Sequence, residues 1–148
     1  ALTANLQVKN FDLSVTLRGS FDFQILNQYR MLWENFARGA DHNFPRSILR
    51  NKYNHYVATA PAYVSYYVED GDFVKIDNIT LGYTFRFKNP RNPIRTLRLY
   101  ASGLNLYTFT RYQGVDPEIN FNGLTPGVDY VAGYPTTRTF TFGVKLGF

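Results

Sequence analysis

The sequence contains no cysteine and no run of about 18 consecutive apolar residues. The first absence leaves no disulfide framework from which a cellular compartment could be read. The second excludes a membrane-spanning helix, but membrane-spanning strands remain allowed, because their alternating side chains halve the apparent hydropathy. Charged residues are also scarce, at 18% of the chain, below the quarter or so that is usual for soluble domains.

Catalytic and metal-binding motifs are absent as well. The chain has no Gly-x-Ser-x-Gly turn, no phosphate-binding loop and no Ser/His/Asp order. His42 and His55 lack a metal-ligand spacing, so we expect solvated side chains. The carboxylates considered as calcium ligands lack EF-hand spacing, and they are Asp70, Asp72, Asp116, Glu118 and Asp129. The sequence therefore predicts a protein that is not an enzyme, with no metal and no cofactor.

Aromatic residues are abundant instead, at 18% of the chain, which favours strands over helices. Residues 137–148 alternate strictly between apolar and polar or small side chains, as a strand with one apolar face does. Such a strand is typical of a membrane β-barrel, in which the apolar face contacts lipid. A soluble sheet that buries this face in a core stays open as an alternative. The residues expected to face the membrane are Phe140, Phe142, Val144, Leu146 and Phe148.

Four further segments alternate in the same way. Leu2 to Val8 and Phe11 to Arg18, joined by Lys9-Asn10, predict a tight hairpin. Phe73 to Phe87 and Thr96 to Thr110 predict two more strands. The chain therefore contains five predicted strands, and successive strands are expected to be antiparallel.

Two irregularities interrupt these patterns. Lys75 and Asp77 occupy apolar positions near the start of the third strand, so we expect that part to stand clear of lipid. In the fourth strand, Gly103 to Asn105 is expected to hold a bulge, because Leu104 and Leu106 then change face.

Two long connections separate the predicted strands, over residues 19–67 and 112–136. Within the first, apolar residues recur at helical spacing and predict a short amphipathic helix from about Ile25 to Arg38, with Gly39 as its stop. Because short and long connections alternate, both long ones lie on the same side of the sheet, as they do in membrane barrels.

Five strands do not close a membrane barrel, whose smallest single-chain form has about eight. Open strand edges are not tolerated in lipid. Residues 1–148 are therefore expected to be an incomplete domain, one part of a larger barrel. A small porin-like subunit that closes by oligomerising is a weaker alternative.

Several stretches resemble one family, the SusC/RagA-type TonB-dependent transporters. Residues 70–83 read DGDFVKIDNITLGY and are similar to the family's DGSF…TLGY signature. Residues 97–107, LRLYASGLNLY, are similar to its RVYVSGQNLF strand, with Leu104 where Gln is common. Residues 114–118 and 133–144 resemble its GYDPE and GYPxxRTFTFGV segments, and residues 10–14 also fit. The resemblance covers nearly the whole chain in the same order.

The resemblance implies the last five strands of an all-β barrel of about 22 strands with an internal plug. It further implies import of oligosaccharides or peptides across the outer membrane of a Bacteroidetes-type bacterium. The implied partners are the rest of the barrel and its plug, a SusD-like surface lipoprotein, TonB and outer-membrane lipid. In this arrangement the long loops are extracellular and the C-terminus is periplasmic.

Two groups of candidate contact residues follow. Aromatic residues of the first long loop are expected to contact substrate or the lid protein, or else to pack within the loop. These are Tyr29, Trp33, Tyr53, Tyr56 and Tyr66. The residues expected to line the lumen, where they would touch substrate or plug or remain solvated, are Arg18, Arg86, Arg98 and Tyr100.

The net charge of +5 includes a basic run from Arg86 to Arg98. Two prolines within this run favour a solvated periplasmic turn over a nucleic-acid site, and basic residues at strand ends also suit anionic head groups. The alternative from another functional class is a soluble β-sandwich module that binds carbohydrate. The two hypotheses differ in whether the apolar strand faces meet lipid or a protein core.

Overall fold

The structure, a computed structural model, describes residues 1–38, 43–50, 60–89, 93–119, 126–131 and 133–148. In these ranges the chain forms eight strands and one α-helix. The strands are β1 (Leu2–Val8), β2 (Phe11–Ser20), β3 (Gln24–Asn27), β4 (Val68–Asp70), β5 (Phe73–Arg86), β6 (Thr96–Thr110), β7 (Val128–Asp129) and β8 (Thr139–Gly147). The helix α1 is Gln28–Trp33, and short 3₁₀ turns cover Phe36–Arg38, Arg46–Arg50 and Ser65–Tyr67.

The chain divides into two compact units. The first consists of residues 1–20, 73–110 and 136–148, and it contains one five-stranded sheet in the order β1-β2-β5-β6-β8. Every neighbouring pair in this sheet is antiparallel. This confirms the five predicted strands, whose alternating patterns gave their positions to within a few residues.

The β1–β2 hairpin turns at Lys9-Asn10, where Lys9 adopts a left-handed backbone conformation with φ 55°. Asparagine adopts this conformation more easily than lysine, yet here Lys9 adopts it. The Asn10 carbonyl accepts a hydrogen bond of 2.8 Å from Thr84 N. The turn is thereby joined to β5, the next strand of the sheet.

One face of the sheet is apolar across all five strands. A single cross-strand row shows this, since Leu6 is opposite Leu13, Leu13 opposite Leu81, Leu81 opposite Ala101 and Ala101 opposite Phe142. The neighbouring row belongs to the other face and carries polar residues. It runs Asn5, Ser14, Thr80, Ser102 and Thr141.

The predicted placement of Lys75 and Asp77 on the apolar face is wrong, whereas the expectation that this part stands clear of lipid stays a prediction. Asp77 is an extra residue in β5, because Asn78 is opposite Thr16 whereas Ile76 is opposite Leu17. This bulge shifts the alternation, so Ile76 continues the apolar face while Lys75, opposite Arg18, lies on the polar face. The apolar face is therefore not interrupted at the start of β5.

The irregularity in β6 lies close to its predicted place. Leu104 is opposite Asn78, and Tyr107 is opposite Ile76. Strand β6 therefore has two residues between these pairs, where β5 has only Asp77. Asn105 takes the positive φ of 53° that this requires and donates a hydrogen bond of 3.1 Å to Thr137 O. The bulge thus also fixes the chain just before β8.

The second unit consists of residues 21–72 and 111–135. It contains a three-stranded sheet in the order β4-β3-β7, in which β3 pairs antiparallel with β4 and parallel with β7. The alternation pattern does not predict this sheet, because its strands have only two to four residues. The buried apolar residues of this unit include Ile25, Met31 and Tyr67.

Helix α1 is shorter than the segment predicted from Ile25 to Arg38. Asn27 ends β3 and caps the helix, since its Oδ1 accepts a hydrogen bond of 2.9 Å from Arg30 N. At the other end Asn35 Oδ1 accepts from Ala37 N at 2.9 Å and turns the chain away. The expected stop at Gly39 lies outside the described residues. Among the described residues, no helix is both long and apolar enough to cross a membrane.

Candidate functional site

The polar face of the five-stranded sheet contains an ion pair that spans three strands. Arg98 on β6 donates to Asp12 on β2, through Nε to Oδ1 at 3.1 Å and through Nη2 to Oδ2. Gly82 of β5 lies between them, opposite both Asp12 and Tyr100. A Cβ at Gly82 would lie only 2.5 Å from Asp12 Oδ2, so the absence of a side chain there allows the two charges to meet.

Tyr100 extends this arrangement to β8. The Arg98 guanidinium lies 5.3 Å from the centre of the Tyr100 ring, within the range of a cation–π interaction. The ring lies directly over Gly143, the residue opposite Tyr100 on β8, and a Cβ there would overlap the ring. Asp12, Arg98 and Tyr100, with the two glycines, therefore connect β2, β5, β6 and β8, and we call them the wall brace.

We expect Gly143→Val to destabilise the sheet by about 1–3 kcal/mol, the usual cost of forcing a side chain into occupied space. The measurement is the urea midpoint of the full-length protein folded in lipid vesicles. Adding Tyr100→Ala should recover part of the loss, because the valine would then fill the vacated space. Equal losses in the single and the double variant would show that Tyr100 does not occupy the surface of Gly143.

The middle of the polar face is uncharged. Thr80 Oγ1 and Ser102 Oγ lie 2.9 Å apart, and both donate to Asn78 Oδ1 at 3.1 and 3.3 Å. Nearer the long connections, Arg18 donates to Asp77 Oδ1 at 3.2 Å. Hydroxyl, amide and paired charged groups of this kind suit a surface that faces water.

The four residues expected to line the lumen occupy this one polar face. Arg98 is opposite Thr84 on β5, and Arg86 follows Thr84 by two residues. Tyr100 is opposite Gly82, and Arg18 is opposite Lys75. That the face is a lumen stays a prediction. Asp12 is not predictable from the sequence as the partner of Arg98, because the two residues are 86 positions apart and no local pattern connects them.

The opposite face bears aromatic clusters near both ends. Towards the short connections, Tyr83 packs edge-on against Phe11 and Phe85, with ring centres 4.5 and 4.6 Å away. Towards the long connections, Tyr107 and Phe109 are 4.7 Å apart. Val74 is opposite Phe109, and about 36 Å of strand separates Val74 from Phe85. In a strand tilted by about 40° from a barrel axis, this length spans about 28 Å along the axis, close to the height of the apolar band of a membrane barrel.

The predicted membrane-facing residues of β8 are exposed on this apolar face, with Phe142 at 80%. Phe148 follows the end of β8 and is 81% exposed. Aliphatic and aromatic side chains exposed in a continuous sheet face require a further apolar partner.

In the second unit, Arg30 is at the centre of a buried polar network. Its Nε donates to Glu34 Oε1 at 2.9 Å, and its Nη1 donates to Glu69 Oε1 at 2.6 Å. Burial alone would lower the pKa of Arg30, but the hydrogen bonds to Glu34 and Glu69 outweigh it and raise the pKa above its ordinary value. The guanidinium is therefore a permanent charge balanced by two carboxylates.

Glu69 connects the two long segments of this unit. Its Oε1 also accepts from Asn27 Nδ2 at 3.1 Å, and its Oε2 accepts from the backbone N–H of Gln113 at 2.8 Å. Next to this contact, Tyr112 Oη donates to Asp129 Oδ2 at 2.5 Å. Burial raises the pKa of both Tyr112 and Asp129. Residues 21–72 and 111–135 are thus held together by polar contacts around Glu69.

The aromatic candidates fall into different environments. Tyr29 and Trp33 lie on α1 with ring centres 5.9 Å apart, and Tyr29 is 37% exposed. Tyr66 accepts a hydrogen bond of 3.1 Å from Arg30 Nη2 and packs under its guanidinium, so it belongs to the buried network. Tyr53 and Tyr56 lie outside the described residues, as do His42 and His55. Among the described residues, no three His, Asp or Glu side chains are grouped as metal ligands would be.

No protein-family model matches the chain. Among curated proteins, the chain is 32% identical over 97% of its length to the TonB-dependent receptor P3 of Formosa agariphila. It is also 32% identical, over 99% of its length, to the TonB-dependent receptor SusC of Bacteroides thetaiotaomicron. The chain spans only 16% and 15% of these relatives. They are receptors and not enzymes by name.

Among solved structures, the RagAB peptide importer in its closed-closed state matches 95% of the chain with a TM-score of 0.79 and 23% identity. The chain covers 16% of that structure's chain. At this identity the match shows the fold alone, and it agrees with an all-β barrel segment.

Proposed function

The chain belongs to the SusC/RagA-type TonB-dependent transporters, and from this membership we propose that it is the C-terminal portion of an outer-membrane importer. The proposed cargo is oligosaccharide or peptide, carried with a SusD-like lipoprotein as lid and with TonB as the source of work. Residues 1–148 are a part of the barrel wall and its loops, and they transport only as part of the whole protein.

The observation that carries this proposal is the pair of faces on the five-stranded sheet. One face is apolar in every strand and is bounded by aromatic clusters, and the other carries hydroxyl, amide and paired charged groups. Membrane barrels have the same division, with lipid on the apolar side and water on the polar side. A soluble sandwich would need a second sheet over Phe142 and its neighbours, which are exposed.

The edges of the sheet support a larger barrel. Strands β1 and β8 are the two edge strands of the five-stranded sheet, and every residue of β1 is exposed. Unpaired backbone groups are costly in lipid, so we propose that further strands of the same polypeptide pair with both edges.

The connections support an orientation. The β1–β2 turn has two residues and the β5–β6 connection is short, whereas residues 21–72 and 111–135 form the second unit. Membrane barrels have short periplasmic turns and long extracellular loops. We therefore place the second unit outside the cell and the C-terminus in the periplasm.

Cargo and lid contacts are assigned by position. Tyr29 and Trp33 present aromatic surface suited to a sugar ring, a peptide or the lid protein, whereas Tyr66 serves the Arg30 network. Peptide transport is named for the RagAB structures, which supports peptide as one cargo class. Arg18, Arg86, Arg98 and Tyr100 are proposed as lumen wall residues.

The native particle tests this proposal. We expect peptides of this chain in a detergent-extracted polypeptide several times larger than 17.1 kDa, together with a surface lipoprotein, and loss of growth on the cargo when the gene is deleted. A compact 17.1 kDa monomer that needs no detergent would refute the barrel and favour the carbohydrate-binding sandwich.

A further inference from the structure

Two buried oxygen atoms of the second unit have no hydrogen-bond partner among the described residues. They are Glu34 Oε2 and Tyr67 Oη. Glu34 is 5% exposed and Tyr67 is 1% exposed. Buried polar atoms in folded proteins are nearly always paired, because an unpaired one gives up the hydrogen bonds that it makes with water in the unfolded chain. These two atoms therefore need a partner that the described side chains and backbone do not supply.

The Glu34 carboxylate is held in place from the side of helix α1. Its Oε1 accepts a hydrogen bond of 2.9 Å from Arg30 Nε, and its backbone N–H donates to Arg30 O at 2.9 Å. Oε2 belongs to the same carboxylate, so it cannot turn towards solvent unless the ion pair with Arg30 breaks. It is a fixed and unused hydrogen-bond acceptor.

Tyr67 supplies the matching donor. It ends the 3₁₀ turn Ser65–Tyr67, and its ring packs edge-on against Tyr66 with ring centres 4.9 Å apart. Burial raises the pKa of Tyr67, and the charges of Tyr66 and Glu34 raise it further. The hydroxyl therefore keeps its proton. It also lies close enough to Glu34 to feel the charge of the carboxylate, although the two groups are not in hydrogen-bond contact.

We propose that Glu34 Oε2 and Tyr67 Oη bind one water molecule, which accepts a hydrogen bond from the tyrosine and donates one to the carboxylate. Water can play both parts at once, and buried waters typically have two to four polar partners of this kind. A metal ion fits less well, because it needs more oxygen ligands. Among the described residues, no three His, Asp or Glu side chains are grouped to supply them.

The water connects two segments of the second unit. Glu34 follows α1, which carries Tyr29 and Trp33, and Tyr67 directly precedes β4. A molecule bound to both residues therefore ties the end of the helix to the segment that leads into β4. The site concerns the interior of the second unit and does not depend on the proposed transport function.

A density map of the full-length protein in detergent, at a resolution that shows ordered water, tests the site. We expect a water peak about 2.6–3.2 Å from both oxygen atoms. In Tyr67→Phe the peak should disappear, because one of its two partners is removed. Tyr66→Phe is the matched control. The Tyr66 hydroxyl accepts from Arg30 Nη2, so its removal should leave the peak in place.

Hydrogen exchange of the same proteins measures what the water contributes. Tyr67→Phe should lower the protection of residues 28–34 by about fivefold to 150-fold, the range expected when a buried polar atom loses its partner. Tyr63→Phe removes the hydroxyl of a tyrosine that is 71% exposed, and it should leave this protection unchanged.

Three results would overturn the water site. They are a map of the unmodified protein with no peak between the two atoms, a direct hydrogen bond between Tyr67 Oη and Glu34 Oε2, and a peak that persists in Tyr67→Phe. A peak with six or more oxygen ligands at about 2.3–2.6 Å would identify a cation and would also overturn it. None of these results touches the proposed function, which is tested by the size of the detergent-extracted polypeptide.

Discussion

Phe142→Arg is expected to destabilise the full-length protein in the membrane by about 2–4 kcal/mol, whereas Thr141→Arg is expected to leave its stability nearly unchanged. The two residues are neighbours on β8 and both are exposed. They belong to opposite faces, since Phe142 is opposite Ala101 in the apolar row and Thr141 is opposite Ser102 in the polar row.

The reason is the medium that each face meets. An arginine near the middle of the lipid-facing band costs about 2–4 kcal/mol, and the cost falls towards the interfaces. Phe142 is in the central row with Leu13 and Leu81, so the full cost is expected if the apolar face meets lipid as proposed. Thr141→Arg instead adds a cation beside Ser102 on the polar face, which the proposed function turns to water.

The measurement is the free energy of folding into lipid vesicles for both variants, with the heat-modifiable band of the folded barrel as the readout in cells. Position 142 should lose about 2–4 kcal/mol and position 141 less than about 1 kcal/mol. Equal losses at the two positions, or a greater loss at Thr141, would contradict the assignment of the apolar face to lipid.

The strands of the five-stranded sheet could be predicted because each repeats a period of two with one apolar face. A one-residue slip would move a whole strand's apolar set to the wrong side, so the pattern also specifies the register. Strands β8 and β6 are examples of such a pattern. The alternation over Phe140 to Leu146 and over Thr96 to Ala101 predicts which residues of the two strands share a face.

The bulge at Asp77 could not be placed by the same reasoning. One extra residue in β5 reverses the alternation between Ile76 and Asn78. A prediction that extends the period of two from the rest of the strand therefore assigns the residues before the bulge to the wrong face. The available signal is the presence of Lys75 and Asp77 on apolar positions, which fits a shift of face as well as a departure from lipid.

The second unit was predictable only in part, because long-range contacts hold it together. The helix was expected from local spacing, yet Asn27 and Asn35 decide its ends through hydrogen bonds. Glu69 reaches Arg30 from 39 positions away and Gln113 from 44. Within the sequence, only the i,i+4 spacing of Arg30 and Glu34 signals the network.

Glu69→Ala is expected to unfold the second unit locally while the five-stranded sheet stays intact. Removing Glu69 leaves buried hydrogen-bond donors without their acceptor, at about 1–3 kcal/mol for each donor and about 3–5 kcal/mol together. Arg30 is only 9% exposed and would keep Glu34 alone. The variant also removes the acceptor for Asn27 and for the backbone of Gln113, so residues 111–113 lose their connection to β4.

Hydrogen exchange of the full-length protein measures this effect segment by segment. Protection over residues 25–34 and 111–113 should fall by about 150-fold to 5,000-fold, which corresponds to about 3–5 kcal/mol, while β5 and β6 keep theirs. Glu69→Gln should lose less, since one amide oxygen still accepts from Arg30. Asp77→Asn is the matched control, because it breaks an exposed pair worth about 1 kcal/mol at most. If Glu69→Ala and Asp77→Asn changed protection equally, Glu69 would be a surface residue of the loops and not the contact that joins them.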